Sequence, residues 1–180
     1  MNAVLRAGML GLAALSLALC ELSCAHPAEM PGAICGTRID KGLARLLVQS
    51  ADDLHEFTRV DRREEITAPC ILLSRHDPVL EFRFSWDGYA TDLMYLATGT
   101  GSVSGVTAPR YVKGIPNKTI IGTDGAISQA PCKTKGGNYF TLTLQLPQIN
   151  PTDQTHRKDI EKFMRAYFPA TVETLGCKRE

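Results

Sequence analysis

Residues 79–86 read Val-Leu-Glu-Phe-Arg-Phe-Ser-Trp, and this stretch decides the fold. Large apolar side chains occupy every second position from Leu80 to Trp86, and mostly polar side chains stand between them. Successive side chains of a β-strand point to opposite faces of the sheet. The alternation therefore predicts a strand with one face in the core and the other largely in solvent.

Other stretches of the chain predict further strands around this one. Residues 139–146 repeat the alternation, and residues 70–74 form a short apolar run before the strand at residues 79–86. The four residues 75–78 between that run and the strand have the composition of a hairpin turn. Residues 119–122 and 126–129 flank Asp-Gly, a dipeptide that two-residue hairpin turns favour. We therefore expect an antiparallel sheet of at least five strands.

A helix is predicted before the strands and a weaker one among them. Thr37 and Asp40 have the spacing of a helix-capping pattern, and apolar residues recur at helical intervals over residues 39–47. Residues 90–97 would suit two helical turns, whereas residues 99–109 read as a loop.

A longer helix is predicted at the C-terminal end. Asn150 is expected to cap it, with Pro151 at its first position. Pro169 should kink or interrupt it, and Gly176 should end it. The predicted fold class is α+β, in which the N-terminal and C-terminal helices pack on one face of the antiparallel sheet.

Residues 1–25 have the composition of a secretory signal peptide. Arg6 precedes an apolar run at residues 9–19. A secretory core needs about 7–15 apolar residues, whereas a membrane-spanning helix needs about 20. Small residues stand at the positions that signal peptidase reads before His26. The expectation is an exported protein without a transmembrane span in its mature chain.

Lipidation is the alternative for this segment, because bacterial lipoproteins carry a cysteine directly after the apolar run. Cys20 and Cys24 are the two candidates. Leu19 and Glu21 stand where a lipidation motif requires a small and an apolar residue, so the local sequence favours cleavage. A lipid anchor at either cysteine stays open.

The remainder is expected to comprise an N-terminal loop at residues 26–36 and a single domain at residues 37–177. A hydrophobic fraction of 44% argues against disorder. The net charge is +1, with 20 basic and 19 acidic residues, and a nucleic-acid-binding surface would normally show a basic excess. Nucleic acid is therefore not an expected partner.

The domain retains four cysteines, which predict two disulfides: Cys35, Cys70, Cys132 and Cys177. They lack the clustered spacing of a zinc site and the Cys-x-x-Cys spacing of a redox site, so no metal or other cofactor is expected. Four cysteines allow three pairings. From their positions beside the predicted elements we expect Cys35–Cys177 across the ends of the domain and Cys70–Cys132 within the sheet.

No catalytic motif stands out in the sequence. His76-Asp77 would orient an imidazole if a serine lay nearby, but its context is that of a hairpin turn. The glycine-rich residues 99–105 lack the Lys-Ser/Thr of a phosphate-binding loop. Tyr89, Tyr95 and Tyr111 are candidates for a recognition surface, because a tyrosine ring with a polar tip suits interfaces.

Three short segments resemble small exported proteins and lipoproteins of actinobacteria that have no assigned function. They are Ile34-Cys-Gly-Thr37, Cys70-Ile-Leu-Leu73, and Arg165-Ala-Tyr-Phe-Pro-Ala170 leading to Leu175-Gly-Cys177. The resemblance covers most of the mature chain, and its motifs are structural. It implies an exported compartment and the fold, and it brings no catalytic residues.

We interpret the chain as an exported, non-enzymatic module of the cell envelope or extracellular space, which binds a protein, glycan or small ligand. Two alternatives stay open. One is a secreted hydrolase whose site is assembled from residues far apart in the sequence, and the other is a secreted protease inhibitor.

Overall fold

The computed structural model describes residues 29–48, 52–113 and 117–177. The predicted signal peptide at residues 1–25 and the candidate lipidation sites Cys20 and Cys24 lie outside the described residues. The helices are α1 (Lys41–Leu47), α2 (Leu93–Thr98) and α3 (Arg157–Glu173). The strands are β1 (Ala33–Ile34), β2 (Thr37–Arg38), β3 (Leu54–Thr58), β4 (Ala68–Ser74), β5 (Asp77–Asp87), β6 (Arg110–Tyr111), β7 (Lys118–Ile121), β8 (Gly125–Pro131) and β9 (Tyr139–Gln145).

Seven strands form one antiparallel sheet, in the order β3-β4-β5-β9-β8-β7-β6. The strands β1 and β2 form a separate hairpin. The α+β class is confirmed, as are the β4–β5 and β7–β8 hairpins. The sequence patterns predicted no strand at β1, β2, β3 or β6. These strands are two to five residues long and mostly carry no alternating apolar pattern.

One face of the sheet carries the aromatic core. The side chains of Phe82 and Phe140 on the central strands are buried there. The Phe82 ring lies 4.9 Å from the ring of Tyr167, and the Phe140 ring stacks on Phe168 at 6.1 Å between centroids. Helix α3 is held on the sheet through these rings. We call this side the aromatic face, and the other side the outer face.

The outer face is covered by α2 at the β7–β8 end. Ile120 lies opposite Ile127 across the two strands, and Ile127 lies opposite Thr143 of β9. These isoleucines pack with Leu93 and Ala97 of α2 in a second apolar cluster. The expectation of a largely solvated outer face is therefore wrong at this end. That both terminal helices pack on one face stays a prediction.

The first helix begins later than the capping pattern predicted. Thr37 belongs to β2, because Cys35 and Gly36 adopt positive φ values and turn the chain back into a hairpin. Asp40 is the cap of α1, and its carboxylate accepts hydrogen bonds from the backbone N–H groups of Gly42 and Leu43. Because the turn occupies residues that were predicted to be helical, α1 is shorter than expected.

The C-terminal helix also differs from its prediction at both ends. Asn150 caps an isolated turn, in which its side-chain oxygen accepts from the N–H of Thr152, and α3 begins only at Arg157. Pro169 lies inside α3 and does not interrupt it. Proline removes one helical hydrogen bond, but the burial of Tyr167 and Phe168 against the sheet holds that turn in place. No described helix has both the length and the apolar character needed to cross a membrane.

The four cysteines form two disulfides, but the expected pairing is wrong. The bonds are Cys35–Cys70 and Cys132–Cys177. The β1–β2 turn places Cys35 beside β3 and β4 rather than beside the end of the chain. Cys132 follows β8, a strand against which α3 packs, so Cys177 just after that helix reaches it. Each bond therefore joins an end of the domain to the sheet.

Candidate functional site

His76 lies in the exposed turn between β4 and β5, and Asp77 is the exposed first residue of β5. The nearby hydroxyl of Ser74 donates to the carbonyl of Asp52 at 2.9 Å and accepts from the N–H of Asp52 at 3.0 Å. This serine therefore holds the loop before β3, and the His-Asp pair has the role of a hairpin turn.

The glycine-rich residues 99–105 follow α2 and form hydrogen bonds back to its last turn. The N–H of Gly99 donates to Tyr95 O at 2.7 Å, and the N–H of Ser102 donates to Gly99 O at 3.0 Å. The Ser102 hydroxyl donates to Leu96 O. These groups are used within the segment, where they secure the turn after α2.

Three exposed tyrosines lie on α2, in the loop before it and on β6. Tyr89, Tyr95 and Tyr111 are 87%, 71% and 58% exposed. Tyr111 lies opposite Ile120, so its side chain is on the outer face. Val103, in the loop after α2, is 64% exposed. We call these four residues the tyrosine face.

The position of Tyr95 is set by the anchoring of α2. Leu93 and Ala97 are buried on the sheet, which leaves Tyr95 on the solvent side of the helix. Asp92 caps the helix through the N–H groups of Met94 and Tyr95. The N–H of Thr91 donates to the side chain of Gln129 on β8, which fastens the loop carrying Tyr89. Tyr95 and the loop that carries Tyr89 are therefore anchored to the sheet.

A small cleft of about 250 Å³ lies between α1 and the loop before α3. His156 lines it with a side chain that is 15% exposed, and its Nε2 lies 3.7 Å from Oδ2 of Asp153. The backbone N–H of Thr155 donates to that carboxylate at 2.8 Å and, as the main cause, holds the pKa of Asp153 below its ordinary value. The sequence analysis did not single out His156, although its three-residue spacing from Asp153 was a usable signal.

The cleft contains an imidazole but no nucleophile among its described lining residues. Besides His156 they are Leu47, Val48, Val79, Gln148, Ile149 and Asn150. Within the part of the chain that the structure describes, the cleft lacks the serine, threonine or cysteine of nucleophilic catalysis.

A polar network surrounds the Cys35–Cys70 disulfide. A carboxylate oxygen of Glu56 accepts from the N–H of Cys35, and the guanidinium of Arg62 donates to Cys35 O and to the hydroxyl of Thr37. Burial lowers the pKa of Arg62, whose guanidinium lies 5.5 Å from the ring centre of Phe84. These bonds lock the β1–β2 turn against the sheet.

The same region contains a grouping of potential metal ligands within the described residues: Cys35, Glu56 and Cys70. The two sulfur atoms are bonded to each other and offer no thiolate. We assign this grouping a structural role.

The ionisation of Tyr167, which lies beside this network, makes the stability of the domain depend on pH. Its buried hydroxyl donates to Ile34 O at 2.8 Å, and burial raises the pKa of Tyr167 well above its ordinary value. A raised pKa means that the contribution to stability is full below about pH 10 and is lost as the pH rises above it.

We expect the free energy of unfolding to fall more steeply with pH in the wild type than in Tyr167→Phe. The difference in slope should approach about 1.4 kcal/mol per pH unit above about pH 10. Urea titrations at several pH values between about 9 and 11 measure it. The exposed tyrosines are common to both proteins and cancel, so equal slopes would contradict the assignment.

Comparison with family models, with curated proteins and with solved structures finds no match to this chain. The function is therefore inferred from the tyrosine face and the cleft themselves.

Proposed function

We propose that this protein is an exported, non-enzymatic module that binds a protein or envelope ligand through the tyrosine face. The observation that carries the proposal is the exposure of Tyr89, Tyr95 and Tyr111, of which Tyr95 and Tyr111 lie on the outer-face side of the sheet. Tyrosine supplies a large contact area with few rotatable bonds, and exposed apolar groups in one region mark interaction sites.

Export is supported by three features. Two disulfides are typical of proteins that fold in an oxidising compartment. Residues 1–25 have the pattern of a signal peptide, and the resemblance to exported actinobacterial proteins points to the same compartment.

The triple variant Tyr89→Ala/Tyr95→Ala/Tyr111→Ala should lose binding to the producing cell's envelope at least about tenfold, because buried aromatic anchors carry much of an interface's free energy. Cosedimentation of the purified mature domain with washed envelope fractions measures the affinity. The matched control is Ile66→Ala, which removes an exposed apolar side chain outside the tyrosine face and should bind as the wild type does.

Equal binding by the triple variant and the control would contradict the role of the tyrosine face. Far-UV circular dichroism verifies that each variant is folded before its affinity is interpreted.

A secreted hydrolase is the second candidate, because His156 lines the cleft and lies 3.7 Å from the carboxylate of Asp153. The wild type would then turn over an ester or glycoside substrate, and His156→Ala would abolish that turnover without affecting envelope binding. Such a result would overturn the non-enzymatic proposal. The protease-inhibitor interpretation gains no support from the disulfides, since Cys35, Cys70 and Cys132 are buried rather than bracing an exposed loop.

A further inference from the structure

The strand β3 forms one end of the seven-stranded sheet and is exposed along most of its length. Within the described residues, β4 is the one strand that pairs with it. Four of its five residues, from His55 to Thr58, are exposed, and Phe57 retains 44% of its surface. Natural proteins usually cover, shorten or twist such an edge, because its backbone is a template for another strand.

Hydrogen bonds at its two ends show which backbone groups of β3 point outward. The N–H of Arg59 donates to Pro69 O at 3.0 Å, and the N–H of Arg75 donates to Asp53 O at 3.2 Å. Backbone groups in an antiparallel ladder alternate in direction, so the odd-numbered residues of β3 face β4.

The even-numbered residues Leu54, Glu56 and Thr58 therefore direct their N–H and C=O groups away from the sheet. Within the described residues, these groups form no backbone hydrogen bond outside the sheet ladder. Leu54, Glu56 and Thr58 thus present a row of free donors and acceptors.

We propose that a second copy of this chain pairs with this row, β3 against β3, antiparallel and centred on Glu56. In this register Glu56 lies opposite Glu56 of the second copy, and Leu54 lies opposite Thr58. Each such pair exchanges two backbone hydrogen bonds, so every outward group of the strand is used. A two-fold axis perpendicular to the sheet then joins the two sheets edge to edge, with each face continuous.

Charge complementarity favours a second copy as the occupant. The strand is acidic at its start and basic just after its end, where Asp53 and Arg59 flank it. The proposed register places Asp53 opposite Arg59 of the second copy on both sides of the axis. Opposite charges across paired strands are favourable and like charges are unfavourable.

The central glutamates and aromatic residues fit this register. Each Glu56 carboxylate is held by the N–H of Cys35 in its own copy and lies in the field of Arg62, which moderates the repulsion between the two glutamates. On the outer face, His55 lies opposite Phe57 of the second copy, and aromatic cross-strand pairs are favourable. Tyr111 of the tyrosine face lies on β6, the strand at the opposite edge of the sheet. Pairing through β3 therefore leaves Tyr111 exposed.

Charge reversal at the two flanks tests both the occupant and the register. Sedimentation velocity of the full mature chain at increasing concentration should show a monomer–dimer equilibrium. Asp53→Lys alone brings two basic side chains together at each flank, and Arg59→Glu alone brings two acidic ones together, so each variant should dimerise at least about tenfold more weakly. An equimolar mixture of the two should regain dimerisation, because both flanking pairs of the heterodimer carry opposite charges.

The mixture also guards against misfolding, because a variant that fails to fold cannot regain association. Recovery in the mixture supports the proposal. A wild type that stays monomeric at millimolar concentration overturns it, as does association that the single variants leave unchanged. Pairing of β3 with another segment of the same chain, or with a peptide of another protein, would appear as a persistent monomer and would likewise overturn the proposal.

Discussion

Replacing Cys35 and Cys70 together with alanine is expected to lower the free energy of unfolding by about 4 kcal/mol. The bond closes a loop with a sequence separation of 35, and loss of a loop constraint of this size releases about that much chain entropy in the unfolded state. Domains of this kind have a total stability of about 5–15 kcal/mol, so the variant should be close to unfolding. Urea denaturation of the mature domain measures the change.

The matched control is the corresponding double replacement of Cys132 and Cys177, whose separation is 45. Chain entropy predicts a similar loss of about 4 kcal/mol there. In the first variant Glu56 and Arg62 can still bond to the backbone of residue 35, so the β1–β2 turn should stay against the sheet. Peptide mapping without reduction that links Cys35 to Cys177 would refute the pairing on which both expectations rest.

Phe82→Ala should cost about 3–5 kcal/mol of stability, the range typical of a buried phenylalanine truncated to alanine. Phe82 is 1% exposed, and its ring packs against the rings of Tyr167 and Phe163 of α3. Removing it leaves a cavity where the helix contacts the sheet. Thermal and urea denaturation measure the loss.

Phe57→Ala is the control with the same chemistry on the exposed strand β3. Since Phe57 keeps 44% of its surface in solvent, its truncation should cost less than about 1 kcal/mol. A Phe82→Ala variant as stable as Phe57→Ala would show that α3 is not held by the aromatic face.

Sequence reasoning identified the tyrosines as candidate binding residues, but it missed the edge strand β3 and the cleft residue His156. Tyr89, Tyr95 and Tyr111 were candidates for a recognition surface from their chemistry, and the structure exposes all three. The strand β3 was missed because an exposed edge strand has no buried face and therefore no alternating pattern. His156 was missed as a cleft residue because its burial depends on α1, which is far away in the sequence.

The alternation of residues 79–86 was sufficient to predict the central strand, and turn chemistry was sufficient to predict its hairpin with β4. Strand alternation and turn composition depend on residues only a few positions apart, so both can be recognised in a short stretch of sequence. The disulfide pairing, the cover that α2 gives to the outer face and the free edge of β3 depend on which distant segments meet. Contacts between distant segments are determined by how the whole domain buries its apolar surface. They could therefore be identified only from the tertiary structure, in which the sheet and α3 are packed together.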